Sequence, residues 1–238
     1  MRLSFIAIAS ILLLSSCQYF GDRIPGNGHI ISREENVGSF NSVHASGAID
    51  VHLQQGGTNS VKIETDENLL EFLEVLKDGN TLVIRTRNGY NLNPSKQIVA
   101  IVSAPVFENI GVSGASKVTG ENTISVNDRL NLEASGASKI NLDLNGGTIT
   151  GDISGASNLN LRGQVSKIDV EASGASHVKA YDLVTDDAVF NCSGASSAEV
   201  TANKNLRVDA SGASHIKYRG NANVSQSASG ASKVTREG

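Results

Sequence analysis

The tetrapeptide Ser-Gly-Ala-Ser occurs seven times in this chain of 238 residues, and its spacing constrains the fold more than any other feature. Successive copies begin 22, 19, 19, 20, 18 and 18 residues apart, at Ser113, Ser135, Ser154, Ser173, Ser193, Ser211 and Ser229. A truncated copy, Ser-Gly-Ala-Ile, stands at residues 46–49. A fixed period near twenty residues indicates one structural unit per repeat and a solenoid or array.

Apolar residues alternate with polar ones on both sides of the motif, which is the pattern of β-strands. The second copy shows it well, with Leu130, Leu132 and Ala134 before the motif and Ile140, Leu142 and Leu144 after it. The glycine and the second serine keep the same parity as these apolar residues. The pattern therefore predicts one strand register that runs through the motif, with a bend at the glycine.

Aligning the copies produces two apolar columns that would form a continuous core if each repeat stacked on the next. One column comprises Val118, Ile140, Leu159, Val178, Ala198, Ile216 and Val234. The other comprises Val112, Ala134, Ile153, Ala172, Cys192, Ala210 and Ala228. The sequence therefore predicts an all-β fold, a parallel β-helix with rungs of 18–22 residues and an N-terminal β cap region. The crossover rule for parallel strands predicts a right-handed helix.

The glycine and serine columns of the motif predict scaffold roles. A glycine at each repeat suggests a tight bend or a close backbone approach that a Cβ would block. The serines could form a ladder of hydroxyl groups that satisfies buried polar atoms. A catalytic serine is disfavoured, because the chain has no Gly-x-Ser-x-Gly elbow and seven equivalent serines do not single out one nucleophile.

The first 16 residues predict an export signal, with one positive charge, a short apolar run and then small residues. The run is too short for a membrane-spanning helix. Leu14-Ser15-Ser16-Cys17 resembles the bacterial lipoprotein box, which implies cleavage before Cys17 and lipid attachment to it. Gln18 follows where an aspartate would favour inner-membrane retention in enteric-type bacteria. We therefore expect a lipid-anchored protein of the bacterial cell envelope, at the outer membrane.

Composition argues against several other classes of protein. The formal net charge is −4 and no basic patch appears, so nucleic acid is not an expected partner. Cys17 and Cys192 are the only cysteines, and Cys192 occupies an apolar column, where it is expected to be a small buried hydrophobe. His177 and His215 share a column but lie two rungs apart, about 10 Å by the strand spacing, so they do not predict a metal site. No cofactor is expected.

The chain divides into four predicted parts. Residues 1–16 are the signal, residues 17–36 a flexible tether, residues 37–106 the N-terminal part of the β-helix, and residues 107–238 the regular repeats. Within the third part, Phe40–Leu53 predicts a first, imperfect rung and residues 67–76 a short helix or a turn. A hairpin turning at Asp78-Gly79-Asn80 follows, then a loop at residues 88–96 and a strand at Ile98–Ala104.

Five segments together resemble the auto-transporter adhesin head GIN domain family: Phe40–Val43, Ser46–Val51, Val61–Leu70, Gly79–Ile84 and Ala104–Ser116. The resemblance covers residues 37–238. It implies a secreted or lipid-anchored bacterial β-helix protein. The family has no catalytic residues to carry over, so the resemblance implies none here.

Two outward-facing columns flank the motif and carry opposite charges. The acidic column contains Glu133, Asp152, Glu171 and Asp209, together with Gly111, Asn191 and Ser227. The basic column contains Lys117, Lys139, His177, His215 and Lys233, together with Asn158 and Ser197. One interpretation is a solvated surface that prevents sideways aggregation. The other is a binding stripe, for cations on the acids or for a charged polymer across both columns.

These features favour a non-catalytic envelope lipoprotein that serves adhesion, binding or structure. The alternative is a carbohydrate-active enzyme, a polysaccharide lyase or hydrolase, because β-helices often carry such sites. Clustered carboxylates beside Lys or Arg would favour the enzyme, and smooth faces would favour the binder. Expected partners are the membrane through the lipid anchor, and a glycan or an envelope protein. A second copy could also pair with the C-terminal rung, which ends just past the last motif.

Overall fold

The computed structural model describes residues 22–237, which form a parallel β-helix. The N-terminal strands are β1 Asp22–Pro25, β2 Ile30–Glu35, β3 Ser42–Ser46, β4 Ile49–Gln55, β5 Ser60–Asp66, β6 Leu73–Asp78, β7 Thr81–Thr86, β8 Tyr90–Asn93 and β9 Ile98–Ala104. The helical turns continue through β10 Asn109–Val112, β11 Lys117–Gly120, β12 Ile124–Ala134, β13 Lys139–Ile153, β14 Asn158–Ala172, β15 His177–Cys192, β16 Ser197–Ala210, β17 His215–Arg219, β18 Asn223–Ala228 and β19 Lys233–Arg236. A 3-10 helix covers Glu67–Phe72.

Each regular rung has two arms that meet at a Ser-Gly-Ala-Ser turn. Strand β13, for example, leaves one turn at Lys139, bends at Gly146 and reaches the next turn after Ile153. It pairs in parallel with β14 along nearly its whole length. The two predicted apolar columns are confirmed except in the last rung. For example, Ile140 pairs with Leu159 and Ile153 with Ala172, and all four side chains are buried, whereas Ala228 is exposed and Val234 only partly buried. Their stacking forms one continuous core along the solenoid.

The motif itself is a turn and not a strand with one register. The glycine of each full copy is exposed and has a φ between +69° and +74°. The two arms that meet at a turn are therefore separate strands. The alternation of inward and outward residues continues across the turn only because the second serine points back into the interior. The turns stack through backbone hydrogen bonds, such as the one from the Ala156 N–H to the Gly136 carbonyl oxygen at 2.7 Å.

The second serine of the motif lies in the core beneath the turn, at six of the seven full copies. Its hydroxyl donates to a backbone carbonyl of the preceding rung in several copies, for example Ser196 to Ala172 and Ser214 to Cys192, each at 3.3 Å. Ser138 and Ser157 also contact each other, with 3.3 Å between their hydroxyl oxygens. The predicted ladder therefore exists, with carbonyl groups as its main acceptors.

The N-terminal part contributes two rungs whose spatial order differs from their sequence order. Strands β3 and β4 form one rung, and they pair in parallel with β10 and β11 on one side. On the other side they pair in parallel with β7 and β9. The rung predicted to be first, at Phe40–Leu53, is therefore internal, and a later segment of the chain covers it. The predicted hairpin is present as antiparallel β6 and β7, with Gly79 and Asn80 in its turn.

Two segments expected to be irregular are strands instead. Residues 22–36 of the predicted tether contain β1 and β2, and β2 pairs antiparallel with β5. Residues 88–96, predicted as a loop, contain β8, which pairs in parallel with β1. Each segment is too short and polar to predict a strand. Strand β2 forms by adding to β5 at the edge of the β-helix sheet, whereas β1 and β8 form a separate two-stranded sheet. The predicted signal at residues 1–16 and the lipidation site Cys17 lie outside the described residues.

Candidate functional site

The acidic column is a continuous stack on the outer face of one arm. Glu133 pairs with Asp152, and Asp152 with Glu171, in adjacent rungs about 4.8 Å apart. The stack continues through Asn191 to Asp209. A shallow groove of about 450 Å³ runs beside Asp152, Glu171, Asn191 and Asp209 and beside the first serines of the adjacent turns.

One acid of this column, Asp209, forms an ion pair. Asp209 accepts a hydrogen bond from Nε of Arg207 at 3.1 Å, and this arginine occupies the next outward position on the same strand. Within residues 22–237, Glu133, Asp152 and Glu171 take part in no ion pair. No group of three metal-ligating side chains close enough to hold a metal ion occurs in that range. The column is therefore a row of separate charges.

The basic column stacks on the other arm, across the turn. Lys117 pairs with Lys139, His177 with Ser197, and His215 with Lys233. Nδ1 of His177 lies 2.6 Å from the hydroxyl oxygen of Ser197. His177 and His215 are separated by the rung that carries Ser197, as the sequence predicts.

The two charged columns open onto different grooves. The groove beside the acids contains no residue of the basic column. A larger groove on the other arm contains Lys139 and no residue of the acidic column. The exposed small residues of the turns lie between them. The structure therefore does not combine the predicted acidic and basic residues into one site.

The larger groove, of about 640 Å³, was not predicted from the sequence, and we call it the Tyr181 groove. Its lining residues come from six rungs and include both charges, two amides and one aromatic ring. They are Thr119, Gly120, Lys139, Asn141, Leu142, Asp143, Asn160, Leu161, Arg162, Lys179, Tyr181, Asp182, Glu199 and Arg219.

One wall of the Tyr181 groove is a β-bulge in β15. Ala180 pairs with Val200 and Val184 with Thr201, so the three residues between them have no partner in β16. Residues 181–183 therefore bulge from the otherwise regular arm. Bulges commonly re-aim side chains next to binding sites. The uneven motif spacing, 20 residues at this rung and 18 at the next, was the sequence signal for it.

Contacts from later rungs fix the Tyr181 side chain. The guanidinium carbon of Arg219 lies 4.0 Å from the centre of the Tyr181 ring, which is a cation–π contact. The Tyr181 hydroxyl donates to Oε2 of Glu237 at 3.0 Å, and Nζ of Lys217 lies 2.6 Å from Oε1 of the same carboxylate.

These contacts also shift the pKa values of Tyr181 and Glu237. Burial, together with the hydrogen bond to Glu237, raises the pKa of Tyr181. The hydrogen bonds from Lys217 and Tyr181 lower the pKa of Glu237. Tyr181 therefore stays neutral and Glu237 stays ionised at neutral pH.

The floor of the Tyr181 groove carries a ladder of amides. Nδ2 of Asn160 donates to Oδ1 of Asn141 at 2.6 Å, and Nδ2 of Asn141 donates to the Val118 carbonyl at 3.4 Å. Pairing continues the column from Asn160 to Lys179 and then to Glu199. The floor therefore presents hydrogen-bond donors and acceptors at a regular interval.

Sequence comparison identifies the family to which this chain belongs. Residues 39–222 match the family described as “putative auto-transporter adhesin, head GIN domain”. The chain is therefore a member of that family, which confirms the resemblance found in the sequence. Membership of this adhesin-like family places the chain among proteins of the cell surface or envelope. None of the curated protein sequences matches it.

Crystal structures share the fold of this chain at low sequence identity. A putative adhesin from Bacteroides fragilis has a TM-score of 0.83 at 19% identity, over 90% of this chain and 100% of the other. A putative lipid binding protein from Parabacteroides distasonis has a TM-score of 0.71 at 21% identity, over 91% and 100%. A putative adhesin from the same organism has a TM-score of 0.74 at 21% identity, over 91% and 100%. Among residues 22–237, no helix has the length and hydropathy needed to cross a membrane.

Proposed function

We propose that this protein is a non-catalytic, lipid-anchored binding protein of the bacterial cell envelope. The observation that carries the proposal is the presence of open grooves along the outer faces of the β-helix, two of them of about 640 and 450 Å³. A rigid solenoid with open lateral grooves suits an extended partner, because successive rungs present similar groups at a fixed interval. Membership of an adhesin-like family supports the same function.

Anchoring through Cys17 and export through residues 1–16 are part of this proposal. Several acyl chains on Cys17 would give durable attachment, since a single chain binds a membrane only marginally. The test is to express the full chain and its Cys17→Ser variant in a Gram-negative bacterium with radiolabelled palmitate. The wild-type chain should incorporate label and sediment with outer membranes, whereas Cys17→Ser should do neither. Equal labelling of both chains would contradict the anchor.

Binding is tested with an array of glycans and surface polysaccharides, followed by analysis of every bound polymer for cleavage products. Binding without cleavage supports the proposal. If no polysaccharide binds, an envelope extract is passed over the immobilised protein to look for a protein partner. Absence of any specific partner in both experiments would contradict a binding function.

A carbohydrate-active enzyme remains the second candidate, because one observation favours it. Asp143, Asp182 and Glu199 line the same groove as Arg162 and Arg219. The Arg162 and Asp182 side chains lie 3.9 Å apart and are 71% and 77% exposed. Water reaches both freely, unlike the shielded acid of a glycoside hydrolase. We therefore prefer binding, and release of reducing ends or unsaturated products from a bound polymer would reverse this preference.

A further inference from the structure

We infer that the Tyr181 groove binds one extended, neutral polysaccharide chain. The inference rests on the proposed function and adds to it a place on the molecule and a class of ligand. The starting observation is the shape of the groove. It crosses several rungs and is open along its length, so it suits a linear polymer better than a compact small molecule.

The chemistry of the floor fits sugar hydroxyl groups. Each hydroxyl both donates and accepts hydrogen bonds. The floor column spans four rung steps, or about 19 Å, and comprises Thr119, Asn141, Asn160, Lys179 and Glu199. Its hydroxyl and amide groups both donate and accept hydrogen bonds, its ammonium group donates, and its carboxylate accepts. Because Asn141 and Asn160 already bond to each other, their orientations are fixed before a ligand arrives. Preorganisation of this kind reduces the entropy lost on binding.

The apolar surface that the groove offers to the carbon face of a sugar ring is the half-buried Tyr181 ring. Leu142 and Leu161 lie beneath the groove in the core, next to Gly120. A Cβ added to Gly120 would lie 3.2 Å from Cδ2 of Leu142, so the absence of a side chain there keeps this end of the groove open. Binding sites typically combine apolar surface with a few placed polar groups.

The charges in the groove favour a neutral chain over a polyanion. Its lining contains four cationic side chains and three carboxylates, namely Lys139, Arg162, Lys179 and Arg219 with Asp143, Asp182 and Glu199. A strongly anionic polymer would meet carboxylates along its path, and a nucleic acid would need a clear excess of basic groups.

A peptide added as a further strand is also disfavoured. Strand addition needs an unpaired sheet edge. The floor residues belong to β11, β13, β14, β15 and β16, and each of these strands pairs with a neighbour on both sides. The groove lies across the face of the sheet, where side chains and not backbone groups meet a ligand.

The test is native affinity electrophoresis of the full-length chain in detergent. The gels contain mannan, dextran, galactan or xylan as neutral probes, and alginate or hyaluronan as anionic probes. Calorimetry then measures the affinity for any polymer that retards the protein. Asn160→Ala and Lys179→Ala remove floor contacts, and Glu171→Gln on the opposite arm is the matched control. Melting curves check that all three variants fold.

Retardation by a neutral polymer, weakened about tenfold or more by each floor variant and unchanged by Glu171→Gln, would support the inference. Retardation by anionic probes alone would overturn it. If Glu171→Gln weakens binding and the floor variants do not, the ligand lies in the acidic groove, so the inference fails while the binding function stands. If no polymer retards the protein, the inference fails as well. If the immobilised chain then captures an envelope protein, the proposed binding function would still stand. If it captures none, both the inference and the proposed binding function would be contradicted.

Discussion

A Cβ placed on Gly136 would lie 2.7 Å from the carbonyl oxygen of Gly114 in the preceding rung. The same approach recurs at each later copy of the motif, at 2.5–2.8 Å. Each motif glycine therefore meets two requirements at once: a positive φ and contact with the backbone of its neighbour.

Substituting alanine for a central motif glycine should separate these two requirements. Gly155→Ala would bring its Cβ within 2.5 Å of the Gly136 oxygen, whereas Gly38 has a similar φ of +72° and a Cβ added there would meet no atom within 4 Å. We expect Gly38→Ala to cost about 1–2 kcal/mol from the left-handed backbone alone. Gly155→Ala should cost a further ~1–3 kcal/mol, because two rungs must move apart. Urea unfolding of both variants measures the difference, and equal losses would show that close stacking contributes nothing.

Replacing either of two buried serines by alanine should have opposite effects on stability. Ser196 donates a hydrogen bond to the Ala172 carbonyl, whereas the buried Ser176 hydroxyl has no partner among the described residues. Ser196→Ala should destabilise by about 1 kcal/mol. Ser176→Ala should be neutral or stabilising, because it removes an unsatisfied polar group. Thermal unfolding of the two variants compares them directly, and a larger loss at Ser176 than at Ser196 would contradict the assignment.

Asp66 predicts a specific dependence of stability on pH. Its buried carboxylate accepts hydrogen bonds from the backbone N–H of Gly28 at 2.7 Å and from Ser95 through N–H at 2.8 Å and hydroxyl at 2.6 Å. Burial favours the neutral acid, but these hydrogen bonds outweigh it and lower the pKa. The lowered value means that the contribution is complete above the unfolded pKa of about 4 and is lost as pH falls through the folded value.

Asp66→Asn should therefore lower stability at pH 7 by about 1–3 kcal/mol, because an amide NH₂ cannot accept these bonds. Its free energy of unfolding should also fall less than that of the wild-type chain as the pH drops below about 4. Asp182→Asn is the control, since its 77% exposed side chain contributes little to stability. Parallel pH profiles for Asp66→Asn and the wild-type chain would contradict this role.

Cys192 should be unreactive in the folded protein. Burial raises the pKa of its thiol to about 11, and a hydrogen bond with Ser196 opposes the rise only in part. Because the thiolate is the reactive form, a disulfide reagent at pH 8 should react about a hundredfold more slowly than with the unfolded chain. The measurement uses Cys17→Ser protein, with exposed Ser193→Cys in a Cys192→Ser background as the fast control. Rapid reaction of native Cys192 would contradict its burial.

The sequence predicted the rungs accurately because two periods agree. Alternation of apolar residues specifies which side chains point inward, and the repeated motif specifies where each rung turns. Together they specify pairs such as Ile140 with Leu159, which the structure contains. The spatial order of the first rungs was not predictable in this way. Strands β3 and β7 pair, but their sequences share only the general features of β-strands. No local sequence feature therefore identifies them as partners.

The Tyr181 groove was missed for a related physical reason. Aligned repeats reveal only residues that recur from rung to rung, such as the acids from Glu133 to Glu171. The groove instead depends on a mismatch between β15 and β16, which places Tyr181 outside the register. A single aromatic residue at an unevenly spaced repeat was visible in the sequence, but its contact with Arg219, 38 residues later, required the fold.

The last described rung predicts self-association. All six residues of β18 are exposed, and its only long parallel partner among the described strands is β16. Val224 continues the core column of Leu206, yet it remains 37% exposed at this end of the solenoid. Among the described residues nothing covers this strand edge, and an open edge beside exposed core favours pairing with another chain.

We therefore expect a second copy to pair at this rung and the weight-average sedimentation coefficient to rise with concentration. Val224→Lys should abolish the rise, because it places a charge against the core of the partner. Ser225→Lys is the matched control, since Ser225 pairs with the outward-facing Arg207 and lies on the lateral surface. Sedimentation as a monomer at every concentration would contradict pairing. A rise that both lysine variants retain would assign the contact to another surface, since the charge at Val224 blocks only the open end of the core.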